Sequence, residues 1–262
     1  MNPYYKTDKC ELYQCDNLDL MNSLPENYID LIYCDILYNT GKKFKDYSDD
    51  LGTPQEAILW YEPRLIEMKR ILKEEGSIYL HMDFRLVHYM KVEMDKIFGI
   101  KNFQNNIVWC YKSGGATKKR FNRKHDDILF YSKNKNFKYN FQLEKSYNRD
   151  FKPYHFKNVE EFQDKIGWYT MVGMKDYWEI NMVGRTSHER NGYDTQKPKE
   201  LVERIIKSSS NKGDIVADFF MGSGTTGEVS LELNRKFIGC DIELSACRVA
   251  LNRIEKDKTD IL

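Results

Sequence analysis

Residues 215–226 are Ile-Val-Ala-Asp-Phe-Phe-Met-Gly-Ser-Gly-Thr-Thr, or IVADFFMGSGTT in one-letter code. The apolar run predicts a buried strand at 215–220, and an amphipathic helix is predicted from 223 to 234. The glycines between them let the backbone approach a ligand closely, and the free amides at the start of a helix favour a carboxylate or a phosphate. The stretch is therefore typical of a ligand-binding loop at one edge of an α/β sheet.

The same alternation of apolar strands and amphipathic helices runs through the rest of the chain. Further strands are predicted at residues 30–35, 76–81, 103–110, 127–132 and 236–241, and further helices at 53–75, 84–98 and 198–210, with a closing helix to about 256. The first of these helices begins with a capping box, Thr53-Pro54-Gln55-Glu56. This pattern predicts a single α/β domain over residues 1–262, with a mostly parallel central sheet. Residues 134–191 are weakly periodic and rich in Tyr, Phe, Lys and Asn, and they are predicted to form an insertion.

Composition excludes several classes of protein. The 262 residues are 41% apolar and 31% charged, which is typical of a globular chain. No apolar run approaches the roughly twenty residues of a membrane span, and the N-terminus shows no secretory pattern, so we expect a cytoplasmic protein with no membrane contact. The formal net charge is only +1, so a polyanion would have to be held by a local basic patch.

Cysteine usage indicates neither a disulfide framework nor a metal site. Six cysteines stand at positions 10, 15, 34, 110, 240 and 247, and none forms a CxxC pair. They lie in apolar or strand-like stretches, so we interpret them as buried thiols and expect no metal.

The glycine loop leaves two ligand classes open. Gly222, Gly224 and Gly227 form a GxGxxG pattern, and Asp241 follows at the end of the next strand, as in a dinucleotide site. An NAD-dependent oxidoreductase is thus one hypothesis. However, a carboxylate at Asp218 would repel a pyrophosphate, whereas it could pair with a ligand ammonium. A second strand end, at Asp35, carries an Asp-x-x-Tyr pattern.

Five segments together resemble one family. DILYNTG at 35–41 looks like the DPPYNTG motif of methyltransferases that act on amino groups of DNA bases, and DFFMGSGTT at 218–226 looks like their DPFxGSGTT loop for S-adenosylmethionine. GYDTQKP at 192–198, HDDILFYSK at 125–133 and CDNL at 15–18 are similar to the family's GYPTQKP, HDxILxYSK and GDN segments. The order matches the circularly permuted beta class, which implies a Rossmann-like class I methyltransferase fold and disfavours the oxidoreductase.

The resemblance implies a role for each polar group around the cofactor. Asp218, with the backbone near Gly222, would meet the amino-acid end, Lys197 the carboxylate, Asp241 the ribose and Asp16 the adenine. Glu243 is a weaker ribose candidate. The full set of residues implied to contact S-adenosylmethionine is Asp16, Asp35, Lys197, Asp218, Phe220, Gly222, Ser223, Gly224, Thr225 and Asp241.

The catalytic residues implied by the resemblance are Asp35, Ile36 and Tyr38. The Asp35 carboxylate and the Ile36 carbonyl would accept hydrogen bonds from the exocyclic amine, and Tyr38 would stack on a base flipped out of the duplex. Aspartate at position 35 implies adenine as the acceptor, with cytosine-N4 as the alternative. The motif prolines are replaced by Ile36, Leu37 and Phe219, so a weakened or non-catalytic DNA-binding relative is a further alternative. We expect activity to survive, because any residue at 36 supplies the carbonyl.

Nucleic-acid contacts are predicted in two segments. The loop at 112–124 contains several cations and no acid, and it suits a phosphate backbone. Residues 134–191 occupy the place of the family's target-recognition region. The resemblance implies double-stranded DNA as substrate, with RNA as a rival, and it raises a cognate restriction endonuclease and a homodimer as partners. The predicted DNA-binding residues are Lys112, Lys118, Lys119, Arg120, Arg123 and Lys124.

Overall fold

A computed structural model describes residues 1–43, 48–112, 116–184, 186–193 and 195–259, with side chains to residue 255. Strands and helices alternate along most of it. The strands are β1 (Tyr5–Lys6), β2 (Cys10–Gln14), β3 (Ile29–Asp35), β4 (Lys42–Lys43), β5 (Ser48–Asp49), β6 (Leu72–Met82), β7 (Phe103–Cys110), β8 (His125–Ser132), β9 (Leu143–Tyr147), β10 (Phe162–Gln163), β11 (Trp168–Gly173), β12 (Tyr177–Glu179), β13 (Ile215–Asp218) and β14 (Lys236–Asp241). The α-helices are α1 (Asn17–Ser23), α2 (Pro54–Ile71), α3 (Val87–Met94), α4 (Lys199–Ser209), α5 (Thr225–Glu232) and α6 (Leu244–Thr259).

Within the described residues the main sheet has nine strands in the order β1-β2-β14-β13-β3-β6-β8-β7-β12. The neighbours from β2 to β6 are all parallel, whereas β8 runs antiparallel to β6 and β7. The predicted mostly parallel sheet is therefore present. From β3 the chain passes through α2 to β6 on one side, and from β13 it passes through α5 to β14 on the other. The boundary between β3 and β13 is thus a topological switch point, where α/β proteins bind ligands.

Burial on both faces explains the apolar run in β3. Ile32 and Cys34 pack in the cluster that includes α1, α2 and α3, whereas Leu31 and Tyr33 pack on the opposite face, with α4 and α5. Successive side chains of a strand point to opposite faces, and both faces are covered here, so the four central residues of β3, 31–34, are all apolar or aromatic. The strand end that carries Asp35 is therefore held rigidly from both sides.

Helix boundaries differ from the sequence expectation at α2. Its capping box is present, because Thr53 accepts from the Glu56 amide and the Glu56 side chain accepts from the Thr53 amide. The helix was predicted to continue to residue 75, but it ends at Ile71, and Leu72 already pairs with Ile29 in the sheet. Leu72 is fully buried, so its packing overrides the helical propensity of the lysine and glutamates that follow.

The segment at 134–191 divides between two sheets. β9, β11 and β10 form a small antiparallel sheet, with Tyr169 packing against Tyr147 and Phe162. β12 instead extends the edge of the main sheet beside β7, and Trp178 is buried in the main core. Arg185 lies outside the described residues. No described helix has the length and apolar character required to cross a membrane.

Candidate active site

Four carboxylates meet at the carboxyl edge of the parallel strands. β14, β13 and β3 end at Asp241, Asp218 and Asp35, and Asp16 follows β2. These strands are adjacent in the sheet, so residues as far apart in the chain as Asp16 and Asp241 surround one cleft of about 280 Å³. The predicted convergence of Asp35 with the glycine loop is observed. The predicted cofactor residues that line the cleft are Asp16, Asp35, Lys197, Asp218, Phe220, Gly222, Ser223, Thr225 and Asp241.

Asp218 organises the glycine loop from the floor of this cleft. Its two oxygens accept hydrogen bonds from the Phe220 amide at 3.0 Å and from the Thr226 hydroxyl at 2.6 Å. Burial raises the pKa of Asp218 to about 7, with the nearby Asp35 and Asp241 acting in the same direction against those two hydrogen bonds. The carboxylate therefore changes charge near neutral pH.

The second acid of the loop, Asp241, fixes the glycine turn from the neighbouring strand. It accepts from the Gly222 amide at 2.9 Å and from the Glu243 amide at 3.0 Å. Burial raises its pKa above the ordinary aspartate value. Gly224 then caps α5 with a φ of +75°. It is the predicted cofactor residue that does not line the cleft, because it faces α6, where an added Cβ would lie 2.7 Å from the Cα of Ala250.

Asp16 is held at the rim by an arginine that the sequence analysis missed. Arg64 of α2 donates to both Asp16 oxygens, at 3.1 and 2.9 Å, and to the side chain of Asn17 at 2.7 Å. Its guanidinium carbon lies 3.4 Å from the centre of the Trp60 ring, which lines the cleft. The i, i+4 spacing of Trp60 and Arg64 was readable in the sequence, but nothing local indicated that they reach Asp16.

Among the described residues, Tyr38 and Lys197 donate side-chain hydrogen bonds to Asp35. Tyr38 donates its hydroxyl to one carboxylate oxygen at 2.7 Å, and Lys197 donates to the other at 2.5 Å. Lys197 was expected to meet the carboxylate of the cofactor. Here it joins the segment that precedes α4 to the turn at residues 35–41, the acceptor turn, which is implied to hold the methyl acceptor. An ammonium has three donors, so the contact with Asp35 leaves capacity for a ligand.

Hydrogen bonds fix the acceptor turn where the family has prolines. The Ile36 amide donates to the His81 carbonyl at 3.1 Å, a bond that proline could not make. The Leu37 carbonyl accepts from the Tyr61 hydroxyl at 2.9 Å, and Asp49 accepts from the Asn39 amide at 2.9 Å. Ile36 is itself buried. The turn is therefore held by its surroundings without the ring constraint of proline.

Behind the turn lies a polar cluster that the sequence analysis did not assign to the site. His81 is fully buried, with Nδ1 3.0 Å from the Tyr33 hydroxyl and 3.7 Å from the Asp35 carboxylate, and with Nε2 3.5 Å from Asp126. Asp126 also accepts from Tyr111 at 3.0 Å. Burial acts to raise the pKa of Asp126, but His81, with Lys197 and Tyr111, holds it below the ordinary value. The HDD sequence at 125–127 was the only local signal.

The described residues of the predicted basic loop, 112 and 116–124, are mostly exposed. The strands that flank the loop reach the acceptor turn through Asp126, which lies 3.4 Å from the Tyr38 hydroxyl. The Tyr111 amide donates to the Lys124 carbonyl at 2.9 Å and closes the loop. Arg123 stacks over Phe84 with its guanidinium carbon 3.4 Å from the ring centre, and Phe121 is 98% exposed. Gly114 and Gly115 lie outside the described residues. The exposed cations are Lys112, Lys118, Lys119, Arg120 and Arg123, and Lys124 is half-buried.

The described residues contain neither a candidate metal site nor a disulfide. In the part of the chain that the structure describes, no three His, Cys, Asp or Glu side chains are arranged to hold a metal ion. The cysteines form no disulfide in the described residues, and Cys10, Cys34, Cys240 and Cys247 are buried as expected. The expectation was wrong for Cys15 and Cys110, which are half-buried because they lie at or beyond strand ends.

The architecture is the class I methyltransferase fold. The PvuII DNA methyltransferase, described as cytosine-N4-specific, superposes with a TM-score of 0.69 at 18% identity, covering 99% of this chain and 93% of that one. The structure of an M1.HpyAVI–SAM complex superposes with a TM-score of 0.61 at 20% identity, covering 94% and 98%. At this level of identity the likeness shows the fold, and it confirms the predicted fold class.

Sequence comparison identifies the family. A model described as DNA methylase, for N6 and N4 methyltransferases, matches residues 29–252. The type II methyltransferase M.HpaI of Haemophilus parainfluenzae is 32% identical over 93% of this chain and 74% of its own length. The DNA adenine methyltransferase YhdJ of Escherichia coli K12 is 31% identical over 92% and 81%. The chain therefore belongs to the N6/N4 DNA methylase family, which confirms the resemblance.

Proposed function

We propose that the protein transfers a methyl group from S-adenosylmethionine to the exocyclic amine of a flipped adenine in double-stranded DNA. One observation carries the proposal: the acceptor turn at Asp35 and the glycine loop after Asp218 follow neighbouring strands and line the same cleft. Membership of the DNA methylase family and the adenine specificity in the name of YhdJ support it.

The charges of the cleft suit this cofactor. Its lining contains the carboxyl groups of Asp16, Asp35, Asp218, Asp241 and Glu243, and Lys197 is its only lysine or arginine among the described residues. Such a cleft attracts a ligand that carries a sulfonium and an ammonium, and it repels the pyrophosphate of a dinucleotide. S-adenosylmethionine, when bound, supplies an electrophilic methyl group.

The residues around the cleft would each contact a different part of the cofactor. Asp218 and the first turn of α5 would hold the amino-acid end, since amides at a helix start lack intrahelical acceptors. Asp241 would accept from the ribose hydroxyls. Asp16, already oriented by Arg64, would accept from the adenine of the cofactor.

Asp35 and its turn would act on the acceptor. An exocyclic base amine is a poor nucleophile, because its lone pair is delocalised into the ring. Hydrogen bonds from the amine to the Asp35 carboxylate and the Ile36 carbonyl would favour tetrahedral geometry and stabilise the charge that develops on nitrogen. Tyr38 would stack on the flipped base and orient it.

The direct test uses labelled cofactor and unmodified genomic DNA. After incubation the DNA is digested to nucleosides, and the labelled nucleoside is identified by chromatography and mass spectrometry. We expect N6-methyladenine. N4-methylcytosine would support cytosine as the alternative acceptor. If a parallel reaction labels RNA and not DNA, RNA is the substrate. No label under any condition would contradict the proposed activity.

Cofactor affinity should depend on pH through Asp218. Its pKa of about 7 means that the carboxyl group is mostly protonated at pH 5.5 and mostly ionised at pH 7.5. Only the ionised form attracts the cofactor ammonium, so we expect the Kd to fall about twentyfold over this interval, as for a single ionisation. Isothermal titration with S-adenosylhomocysteine measures it. The Asp218→Asn variant should bind more weakly and lose most of this dependence, and an unchanged slope would assign the titration to another group.

The basic loop should determine the salt dependence of DNA binding. We expect replacement of Lys118, Lys119 and Arg120 by alanine to weaken binding and to reduce the slope of log K against log salt by about 0.9 for each lost phosphate contact. Fluorescence anisotropy of labelled duplex over a range of salt concentrations measures the slope.

A matched control removes three exposed lysines from the opposite edge of the sheet. Lys9, Lys212 and Lys236 lie at the amino ends of β2, β13 and β14. Their combined replacement changes the net charge equally but should leave the slope unchanged. If both triple variants lower the slope by the same amount, overall charge rather than this loop holds the DNA.

A type II restriction system with a cognate endonuclease, a homodimer and a cytoplasmic location are further parts of the proposal. The type II designation of relatives such as M.HpaI supports the first of these. Light scattering after size-exclusion chromatography, with and without duplex DNA, measures the oligomeric state.

A further inference from the structure

Tyr38 has two carboxylate acceptors within reach of its hydroxyl. Asp35 lies at 2.7 Å and Asp126 at 3.4 Å. A phenol has one proton to donate, so the shorter bond to Asp35 dominates in this structure. Asp126 is 8% exposed and belongs to β8, which is not part of the acceptor turn.

In the proposed reaction, Asp35 needs a free lone pair to accept a hydrogen bond from the target amine. In this structure Asp35 accepts from Tyr38 on one oxygen and from Lys197 on the other. When the target amine enters, Asp35 must accept from it in the geometry that the reaction needs. The Tyr38 hydroxyl then competes with the substrate for the same carboxylate oxygen.

We propose that Asp126 is a positioning residue that takes over the Tyr38 hydroxyl when Asp35 turns to the substrate amine. The ring of Tyr38 then stays in its stacking position, and Asp35 is free to accept from the acceptor nitrogen. This inference rests on the proposed function and assigns a residue that the motif comparison did not.

The surroundings of Asp126 fit this role. Tyr111 donates to its other oxygen at 3.0 Å, and His81 Nε2 lies 3.5 Å from the oxygen that faces Tyr38. His81 Nε2 is buried and has no hydrogen-bond partner among the residues that the structure describes. The carboxylate is thus oriented by Tyr111 before the substrate arrives, with the His81 imidazole beside the oxygen that faces Tyr38.

A double-mutant cycle tests the inference. Asp126→Asn and Tyr38→Phe should each lower kcat by about tenfold or more, as expected for loss of a hydrogen bond to a charged group. Because Asp126→Asn removes the charge of the acceptor and Tyr38→Phe removes the donor of the same hydrogen bond, the double variant should lose no more than about threefold beyond either single variant. The Kd values for S-adenosylhomocysteine and for duplex DNA should stay near those of the wild type.

Asp127→Asn is the matched control. Asp127 is the next residue of β8 and is equally buried at 7% exposure, but it accepts from Asn106 on the opposite face. Its kcat should remain within about threefold of the wild-type value. A loss as large as that of Asp126→Asn would mean that any buried aspartate of this strand acts only through stability, and it would overturn the inference.

The outcomes separate this inference from the proposed function. Wild-type methyl transfer together with multiplicative losses in the cycle would leave the function standing and overturn the role of Asp126. Absence of wild-type transfer would overturn both. If Asp126→Asn does not fold, Tyr111→Phe replaces it in the cycle, because it removes the donor that orients Asp126. Its smaller loss should vanish in the Tyr38→Phe background, and persistence there would contradict the inference.

Discussion

Replacement of Asp35 by alanine is expected to lower the rate of methyl transfer to DNA by about 10²- to 10³-fold, the usual cost of removing one oriented group that stabilises developing charge. The carboxylate stands at the end of β3 between Tyr38 and Lys197. Without it the amine keeps only a backbone carbonyl as acceptor, and Tyr38 loses its shorter hydrogen bond. Single-turnover incorporation of labelled methyl groups measures the loss.

Cofactor and DNA affinity should change only a few-fold in the Asp35→Ala variant. The cofactor contacts proposed for Asp218, Asp241 and Asp16 remain, and the basic loop is untouched. Asp8→Ala removes an exposed carboxylate from the N-terminal hairpin and serves as the control. A loss of transfer below about tenfold, or an equal loss in the control, would contradict the catalytic role of Asp35.

Gly224→Ala is expected to lower both the stability of the protein and its affinity for the cofactor, with the largest combined effect of the variants considered. The residue has a φ of +75°, and an added Cβ would lie 2.7 Å from the Cα of Ala250. Left-handed strain costs about 1 to 2 kcal/mol, and displacing the α6 backbone adds about 1 to 3 kcal/mol. We therefore expect a free energy of unfolding lower by about 2 to 5 kcal/mol and a cofactor Kd raised at least tenfold, because α5 can no longer start where the loop requires.

Gly213→Ala is the control that separates the cost of backbone strain from the cost of a steric collision. Gly213 has a φ of +88°, and no atom lies within 4 Å of its added Cβ. It precedes β13 at the edge of the sheet opposite the cleft. The control should lose only the strain component and keep the wild-type cofactor Kd. Equal losses in the two variants, measured by denaturant unfolding and calorimetric titration, would contradict the close packing of the loop against α6.

The local features of the site could be read from the sequence for a physical reason. Parallel strands present their carboxyl ends at one edge of a sheet, so Asp35, Asp218 and Asp241, each at the end of an apolar run, had to lie on one side. Gly222 and Gly224 marked the turn between strand and helix, because both adopt a positive φ. The alternation of strand and helix periods then gave the fold class.

Contacts between distant segments could not be predicted in the same way. The Lys197–Asp35, Arg64–Asp16 and Tyr38–Asp126 bonds join residues 162, 48 and 88 positions apart. Their partners depend on strand order and side-chain direction, which no local pattern encodes. For the same reason His81 was overlooked, since a histidine within an apolar strand shows no sign of the carboxylates around it.

The position of the methyl donor tests the central claim most directly. A crystal grown with S-adenosylhomocysteine in which selenium replaces sulfur would show one anomalous peak at the atom that carries the methyl group in the donor. We expect the peak in the cleft between the Asp35 carboxylate and the turn at 222–225, open toward Tyr38. A peak outside this cleft, or one separated from Asp35 by protein atoms, would contradict the convergence of acceptor turn and glycine loop on one reaction.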